Sequence, residues 1–490
     1  MTARFCLILP DMPTPREIAR LGLVASALSG RIACGIGPDP NRCPAVRDIV
    51  GRHNIPIIPW PGGGQSDGAA ATPAFDAAID LAEAPRPGMR PALAAALGTW
   101  AFFEGDPRYD QIQAGLGPAL TAGRPRVAMT IRRLNRSPDA PKLLAFADAP
   151  RRPWDSITVL RKRLDAYLPQ MIEEAVEHVA GTERCPALKP DTHDVRESGR
   201  PTGRWSELAR DTKFLTHILF KGLTPLLARQ RSAVILLHNP PPDILDSTLR
   251  VLRRIAPFVP YSLVVDDLRH GRPPTPGFAL TFDDGYKENM ALLDVLDMHA
   301  CKAMFFLNTA TIDNKSALWF MNPDVDFLAK KKLLKTLDYA SFLATADAAG
   351  LTRPSSLRGR FGLRSEDVRT LLARGHEIGV HTHNHPFLTR LTDSEIRAEV
   401  SECWGRLRDA AGDPSLPLHF AYPDGGHDER VVAVLERMGA QSATTTRPGP
   451  LNGESNLLKI PRYQLGDLDY PGLALFKLTS AYTALKAIRG

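Results

Sequence analysis

Hydrophobic and polar positions along the chain switch repeatedly between a period of two and a period near 3.6, a pattern that predicts an α/β protein. Near the start, RFCLILP (4–10) reads as a buried strand and PREIARLGLVASALSG (15–30) as an amphipathic helix stopped by Gly30. IPIIPW (55–60) reads as another strand, Pro91 to Leu97 as an Ala-rich helical stretch, and RVAMTIRRL (126–134) as a strand. Ile157, Leu160, Leu164, Leu168, Ile172 and Val176 recur at three- and four-residue steps, which predicts one long helix over 154–181.

The pattern then lapses. Residues 185–204 hold three prolines and no apolar periodicity, so 186–204 is expected to link a domain over 1–185 to a second over 205–490. Beyond the linker a helix is expected from Trp205 to Arg229, followed by strands in AVILLH (233–238), YSLVV (261–265) and FALTF (278–282). Further strands are expected in AMFFL (303–307), EIGVHT (377–382), PLHFAYP (417–423), QSATTT (441–446) and LLKIPRY (457–463). Strands alternating with helices in such number predict a barrel-like or doubly wound parallel sheet.

Composition narrows the classes. At 490 residues, 43% hydrophobic and 23% charged, the chain has the make-up of a globular protein too long for one core. The net charge of +7 comes from short scattered groups such as IRRLNR (131–136) and KKK (330–332), which read as solvated faces. No nucleic-acid partner is expected, since a binder concentrates its cations beside stacking aromatics. Six cysteines without a CxxC pair read as free thiols of a reducing compartment. The chain has no run of eighteen apolar residues and its opening lacks the apolar core of a secretory leader, so no membrane span and a cytoplasmic location are expected.

Three stretches put polar residues where strands should end. GFALTFDDGY (277–286) finishes a buried-looking strand with Asp283 and Asp284, two adjacent negative charges that a cation would stabilise. HEIGVHTHNH (376–385) carries His381, His383 and His385 after a strand, and HFAYPDGGH (419–427) carries Tyr422, Pro423, Asp424 and His427. In parallel α/β folds the carboxyl ends of strands share one face. Two histidines and one aspartate supply three ligands and leave a position open, the pattern of a catalytic zinc site. The second aspartate is then free to take a proton from water acidified by the metal. Alone, either HxxxH or DDG is more often surface or turn; together, in this order, they carry weight.

LTFDDGY, GHEIGVHTHNHPFLTRL and FAYPDG together resemble the NodB-like polysaccharide deacetylases of carbohydrate esterase family 4. VILLHN, CKAMFFLNTATID and LLKIPRY resemble further strands of that family, and the resemblance runs from about 234 to 463. It implies a distorted (β/α)7 barrel and hydrolysis of an acetyl group, most readily N-acetyl, from a sugar or glycoconjugate. It implies one divalent ion, Zn2+ first, held by Asp284, His381 and His385, with Asp283 as base. Thr382 matches the Ser/Thr of the histidine motif. The tetrahedral oxyanion would be held by the metal and a backbone N–H near Asp424, with Tyr422, Pro423, Asp424 and Arg462 at the substrate.

The match has gaps. Ala421 stands where the family often carries an arginine that positions the base, and Lys459 or Arg462 are the candidates to replace it. The family's late LxH histidine is not visible, which leaves His427 first and His238 second as general acid. Between Asp284 and His381 the chain carries an extra helical segment, whose Trp319 and Phe320 read as packing residues ahead of sugar-stacking ones. These gaps keep a second reading open, a deacetylase-like protein that binds a glycan or partner without turnover. In the N-terminal region, GTWAFFEGDPRYDQ and RVAMTIRRLNRSPDAPKLLAFAD faintly resemble a formyltransferase-like, Rossmann-like α/β fold. That family's catalytic Asn-His-Asp set is not retained: Phe103-Glu104-Gly105-Asp106 stands where its histidine is expected, and Asp139 is the sole remnant. This domain is expected to be non-catalytic, with a transferase activity as the alternative.

Overall fold

The computed structural model describes residues 4–9, 13–37, 43–59, 77–81, 99–104, 116, 126–134, 142–152, 155–181, 232–313, 318–321, 327–348, 361–469, 471–479 and 482–484. The expected helices at 91–97 and 205–229, the linker at 186–204 and Asp139 lie outside them. The chain divides into two compact units, Met1–Val195 and Arg196–Ser355 with Arg360–Gly490.

In the first unit, β1 (Phe5–Ile8), β2 (Ile32–Gly37), β3 (Ile57–Pro59), β4 (Ala77–Asp80), β5 (Thr99–Glu104), β6 (Arg126–Leu134) and β7 (Lys142–Pro150) form one sheet in the order β3-β2-β1-β4-β5-β6-β7. The strands from β3 to β5 run parallel, and β6 and β7 add as antiparallel neighbours. This is a Rossmann-like arrangement. The helix Pro15–Ala27 begins with a capping box, in which Thr14 accepts from the Glu17 amide and Glu17 accepts from that of Thr14. The long helix expected over 154–181 is instead two, Ile157–Asp165 and Leu168–Gly181. Periodicity survives such a break because both pieces turn apolar faces inward; Leu160, Leu164, Leu168 and Ile172 are all buried.

In the second unit, β8 (Ser232–Leu237), β9 (Gly277–Asp284), β10 (Met304–Leu307), β11 (Glu377–Val380), β12 (His419–Ala421), β13 (Ser442–Thr444) and β14 (Tyr463–Gln464) are all parallel, in the order β13-β12-β11-β10-β9-β8-β14. A parallel bridge between Thr444 and Ile460 joins β13 to the segment entering β14, so the two edges meet in a distorted seven-stranded barrel. All eight residues of β9 are buried, as expected of a parallel strand covered on both faces. The helix Pro471–Lys477 contributes Ala474 and Leu475 to the core that the strands build.

One element differs in kind. YSLVV, expected as a strand, is the first part of the helix Tyr261–Arg269. Its apolar, β-branched run suits a strand locally, but the Glu377 carboxylate at the start of β11 accepts from the amides of Tyr261 and Ser262 and caps the helix. Tertiary contact overrides propensity here.

Candidate metal centre and active site

The register of the second sheet levels the strand ends. Asp284 pairs with Leu307, Leu307 with Val380, Val380 with Phe420, and Phe420 with Ala443. His381 therefore emerges one residue past the row that ends in Asp284, and Ala421 one residue past it on β12. Leu237 pairs with Phe282, so His238 leaves β8 beside Asp283.

Asp284, His381 and His385 are buried, and one ligand atom from each lies within 4.8 Å of the others. The Nε2 atoms of His381 and His385 lie 3.4 and 3.6 Å from Asp284 Oδ1. Two ligands about 2.1 Å from a tetrahedral ion stand roughly 3.4 Å apart. The three side chains thus have the spacing of a metal-binding set. His381 Nδ1 lies 2.8 Å from the Ala421 carbonyl, which fixes the tautomer and leaves the Nε2 lone pair to the site. Burial opposes the charge of Asp284, yet its hydrogen bond to His381 and the charges of His238 and His385 outweigh that and hold it at about 2. Burial, together with the neighbouring His381, pushes His385 down to about 4. These shifts favour a negative Asp284 facing a neutral His385, the forms that bind a cation, while at His381 burial is outweighed by Asp283 and Asp284, which raise it.

Backbone conformation at the site is costly. Asp284 (φ 79°), Thr382 (67°), His385 (55°) and Asp424 (54°) are all left-handed without being glycine. Such residues cost about 1–3 kcal/mol each and persist where surroundings over-determine them. Here the surroundings are polar and specific. Thr382 Oγ1 accepts from the His385 amide (3.1 Å) and donates to the His381 carbonyl (2.5 Å). The buried Asn308 amide donates to the carbonyls of His381 and Thr382. The buried Glu399 carboxylate accepts from the amides of His383 (2.8 Å) and Asn384 (2.9 Å), the Asn384 side chain and the Tyr339 hydroxyl. Gly285, at φ 69°, faces Leu307 so closely that a Cβ would sit 3.1 Å from its Cδ2.

Asp283 stays beside the cluster, its Oδ2 3.9 Å from His381 Nε2, but is held from behind. Both its oxygens accept from Arg462, Oδ1 from Nη1 and Oδ2 from Nη2, each at 2.7 Å. Arg462 is fully buried, and its remaining donors reach Thr281 Oγ1 and the Thr445 carbonyl, both at 3.0 Å. Of the two cations offered for the missing arginine, Arg462 fills the place, whereas Lys459 pairs with the exposed Glu429. Expected at the substrate, Arg462 instead stands behind Asp283.

The third stretch is partly spent on structure. The Tyr422 hydroxyl donates to the Leu458 carbonyl, and its buried ring stacks on His427 with centroids 4.7 Å apart. His427 is half-buried, with Nδ1 2.9 Å from the Gly425 carbonyl. Pro423 is buried, and the amides of Gly425 and Gly426 bond back to Tyr422 and Pro423. His383 turns to Thr309, outside the ligand cluster.

The extra segment between the first two stretches reaches the site. Trp319, buried, donates to the His385 carbonyl, and the half-buried Phe320 ring lies edge-on to His385 at 4.6 Å. Lys331, from a group read as solvated, pairs with Asp424, and so does Lys335 at 2.6 Å. Sequence carried no signal for Glu399 or Asn308, since a helix glutamate and a strand-end asparagine are common residues.

The barrel thus sets two histidines and an aspartate at its strand ends, spaced as donors to a metal ion, beside a second aspartate held by an arginine. Residues 270–443, about a third of the chain, match the family model of polysaccharide deacetylases. Chitin deacetylase 1 of Cryptococcus neoformans var. grubii is 40% identical over 76 residues, which cover 16% of this chain and 16% of that protein. The match thus spans well under two thirds of the relative's length. Among solved structures, the Streptococcus pyogenes deacetylase PplD is 16% identical, covering 50% of this chain and 97% of its own at a TM-score of 0.37. Glycinamide ribonucleotide transformylase 1 from Symbiobacterium toebii is 17% identical, covering 36% of this chain and 86% of its own at a TM-score of 0.28.

Proposed function

We propose that the C-terminal unit is a metal-dependent hydrolase that removes an acetyl group, in the first place N-acetyl, from a sugar or glycoconjugate. The observation that carries this reading is the division of labour between two adjacent aspartates: Asp284 faces His381 and His385, while Asp283 is held by Arg462. Asp284, His381 and His385 would hold the ion, with Zn2+ the first candidate for this donor set. When bound, the ion supplies Lewis acidity that acidifies water and polarises the acyl oxygen.

In this reading Asp283 accepts the proton of the attacking water as its oxygen joins the acyl carbon. Arg462 keeps the Asp283 carboxylate in one orientation, so its free lone pairs stay directed at the reacting centre. The amide of Asp424 is the favoured donor to the oxyanion, because those of Gly425 and Gly426 are already bonded within their loop. As the carbon–nitrogen bond breaks, the leaving nitrogen needs a proton. His238 is favoured over His427 for this, since it leaves β8 beside Asp283 whereas His427 is stacked on Tyr422.

The test is metal content followed by turnover. Purified protein should hold about one divalent ion per chain, lost in a His381→Ala/His385→Ala double variant. The loaded protein should release acetate from an acetylated amino sugar, and Asp283→Ala should abolish this while keeping the ion. Full activity in Asp283→Ala would sink the mechanism; a retained ion with no acetate released from any acetylated sugar would favour binding without turnover.

A further inference from the structure

We propose that the segment inserted between the two metal-ligand stretches positions the second of them, with Trp319, Phe320 and Tyr339 aligning His385 for the ion. This rests on the reading of Asp284, His381 and His385 as a metal-binding set and adds what holds the third ligand in place.

The two histidines are held by different means. His381 Nδ1 is fixed by the Ala421 carbonyl, on β12 of the barrel. His385 Nδ1 is buried and has no hydrogen-bond partner among the described residues. A ligating histidine is ordinarily oriented through its second ring nitrogen. For His385 that handle is missing, so packing must set the ring. The rings against it among the described residues are Phe320, His381 and Trp319, with centroids 4.6, 4.9 and 6.2 Å away. Two of the three come from the insertion.

The backbone divides in the same way. The carbonyls of His381 and Thr382 are held by Asn308, just past β10. Further on, Trp319 Nε1 donates to the His385 carbonyl at 3.3 Å. The Asn384 side chain donates to Glu399 (2.8 Å) and to the Tyr339 hydroxyl (3.2 Å), which itself donates to Glu399. Beyond His385, the buried Phe387 packs on Trp319 and Phe342, with ring centroids 5.6 and 6.2 Å away. The insertion thus grips the chain at Asn384, His385 and Phe387. His385 needs such support, because its backbone is left-handed at φ 55°. Without it the loop has other conformations open, and fixing one of them opposes ion binding.

The test is the Zn2+ affinity of the metal-free full chain, read by competition with a chelator, with urea unfolding of the same metal-free variants beside it. Phe320→Ala should weaken Zn2+ binding about 10- to 100-fold, the scale of losing a group that orients a ligand. Phe320→Tyr keeps the ring and should bind as the wild type does. Tyr339→Phe, which removes one hydroxyl, should weaken binding less than Phe320→Ala. Leu333→Ala, at a residue 51% exposed on the inserted helix Phe327–Leu334, should leave affinity unchanged. A Phe320→Ala variant that loses stability in urea yet keeps wild-type affinity would reduce the ring to packing and overturn the proposal. Equal weakening by Phe320→Ala and Leu333→Ala would overturn it too. A wild type that binds no Zn2+ would fell the metal reading and this one with it. The expected order of affinities, with no acetate released from any acetylated sugar, would defeat the hydrolase reading and leave this one standing. Acetate release by the wild type, with full affinity in Phe320→Ala, would do the reverse.

Discussion

Replacing Arg462 tests the site at its most buried point. The Arg462–Asp283 pair is two-pronged at 2.7 Å, with neither side chain exposed beyond 4%. Two unit charges about 4 Å apart attract by about 4 kcal/mol at an effective dielectric of about 20. Removing one partner of such a pair costs about 3–5 kcal/mol, because the other is left charged and desolvated. Arg462→Met should therefore destabilise the second unit by about that amount, with the bonds to Thr281 and Thr445 lost as well. Asp283→Asn in the Arg462→Met background should recover part of it, because the stranded charge is gone. Urea unfolding of the wild type, both single variants and the double variant gives the coupling directly, expected at about 2–4 kcal/mol. Arg462→Lys keeps the charge but not the two-pronged geometry, so it should hold more stability than Arg462→Met while losing turnover by about 100-fold. Metal content should stay unchanged throughout. A coupling below about 0.5 kcal/mol, or normal turnover in Arg462→Met, would refute the claim that Arg462 positions Asp283.

Two further outcomes follow from other parts of the unit. Glu399→Gln puts an amide donor among the donors of His383, Asn384 and Tyr339, and should cost about 1.5–3 kcal/mol and weaken metal binding about 10- to 100-fold. Titration against a chelator reads the affinity, and an unchanged value would show that the histidine loop holds its shape without Glu399. Burial pushes His376 and His419 down to about 4, and His376 Nδ1 accepts the Ala303 amide in its neutral form. The unfolded chain then binds protons that the folded one does not, so stability is full above about pH 6.5 and falls between there and pH 4, by up to about 1.4 kcal/mol per pH unit for each histidine. Urea midpoints that stay flat across that window would contradict it.

Much of this was written in local sequence. The run GFALTFDDGY could hardly be anything but a buried parallel strand ending in charge, and all eight residues of β9 are buried. Asp284, His381 and His385 were legible as a set because strand ends in such folds share one face, and the level register from Asp284 to Phe420 brings them there. The helix Asp393–Ala411, which follows His385, opens with a capping box of Thr392 and Glu395, whose reciprocal bonds need only four residues of chain.

What sequence left open depends on groups far apart in the chain. Arg462 and Lys459 were equal candidates for the missing cation until the barrel put one behind Asp283, 179 residues earlier, and the other at the surface. YSLVV carries the composition of a strand, and only the carboxylate of Glu377, 116 residues later, makes the helix end satisfiable. Lys331 looked like part of a solvated basic run because its partner, Asp424, lies beyond both metal-ligand stretches. Periodicity and capping are set by neighbours within a few residues, so the sequence determines them by itself. Which charge is neutralised, and by which distant partner, is decided by burial, and burial exists only once the barrel has closed.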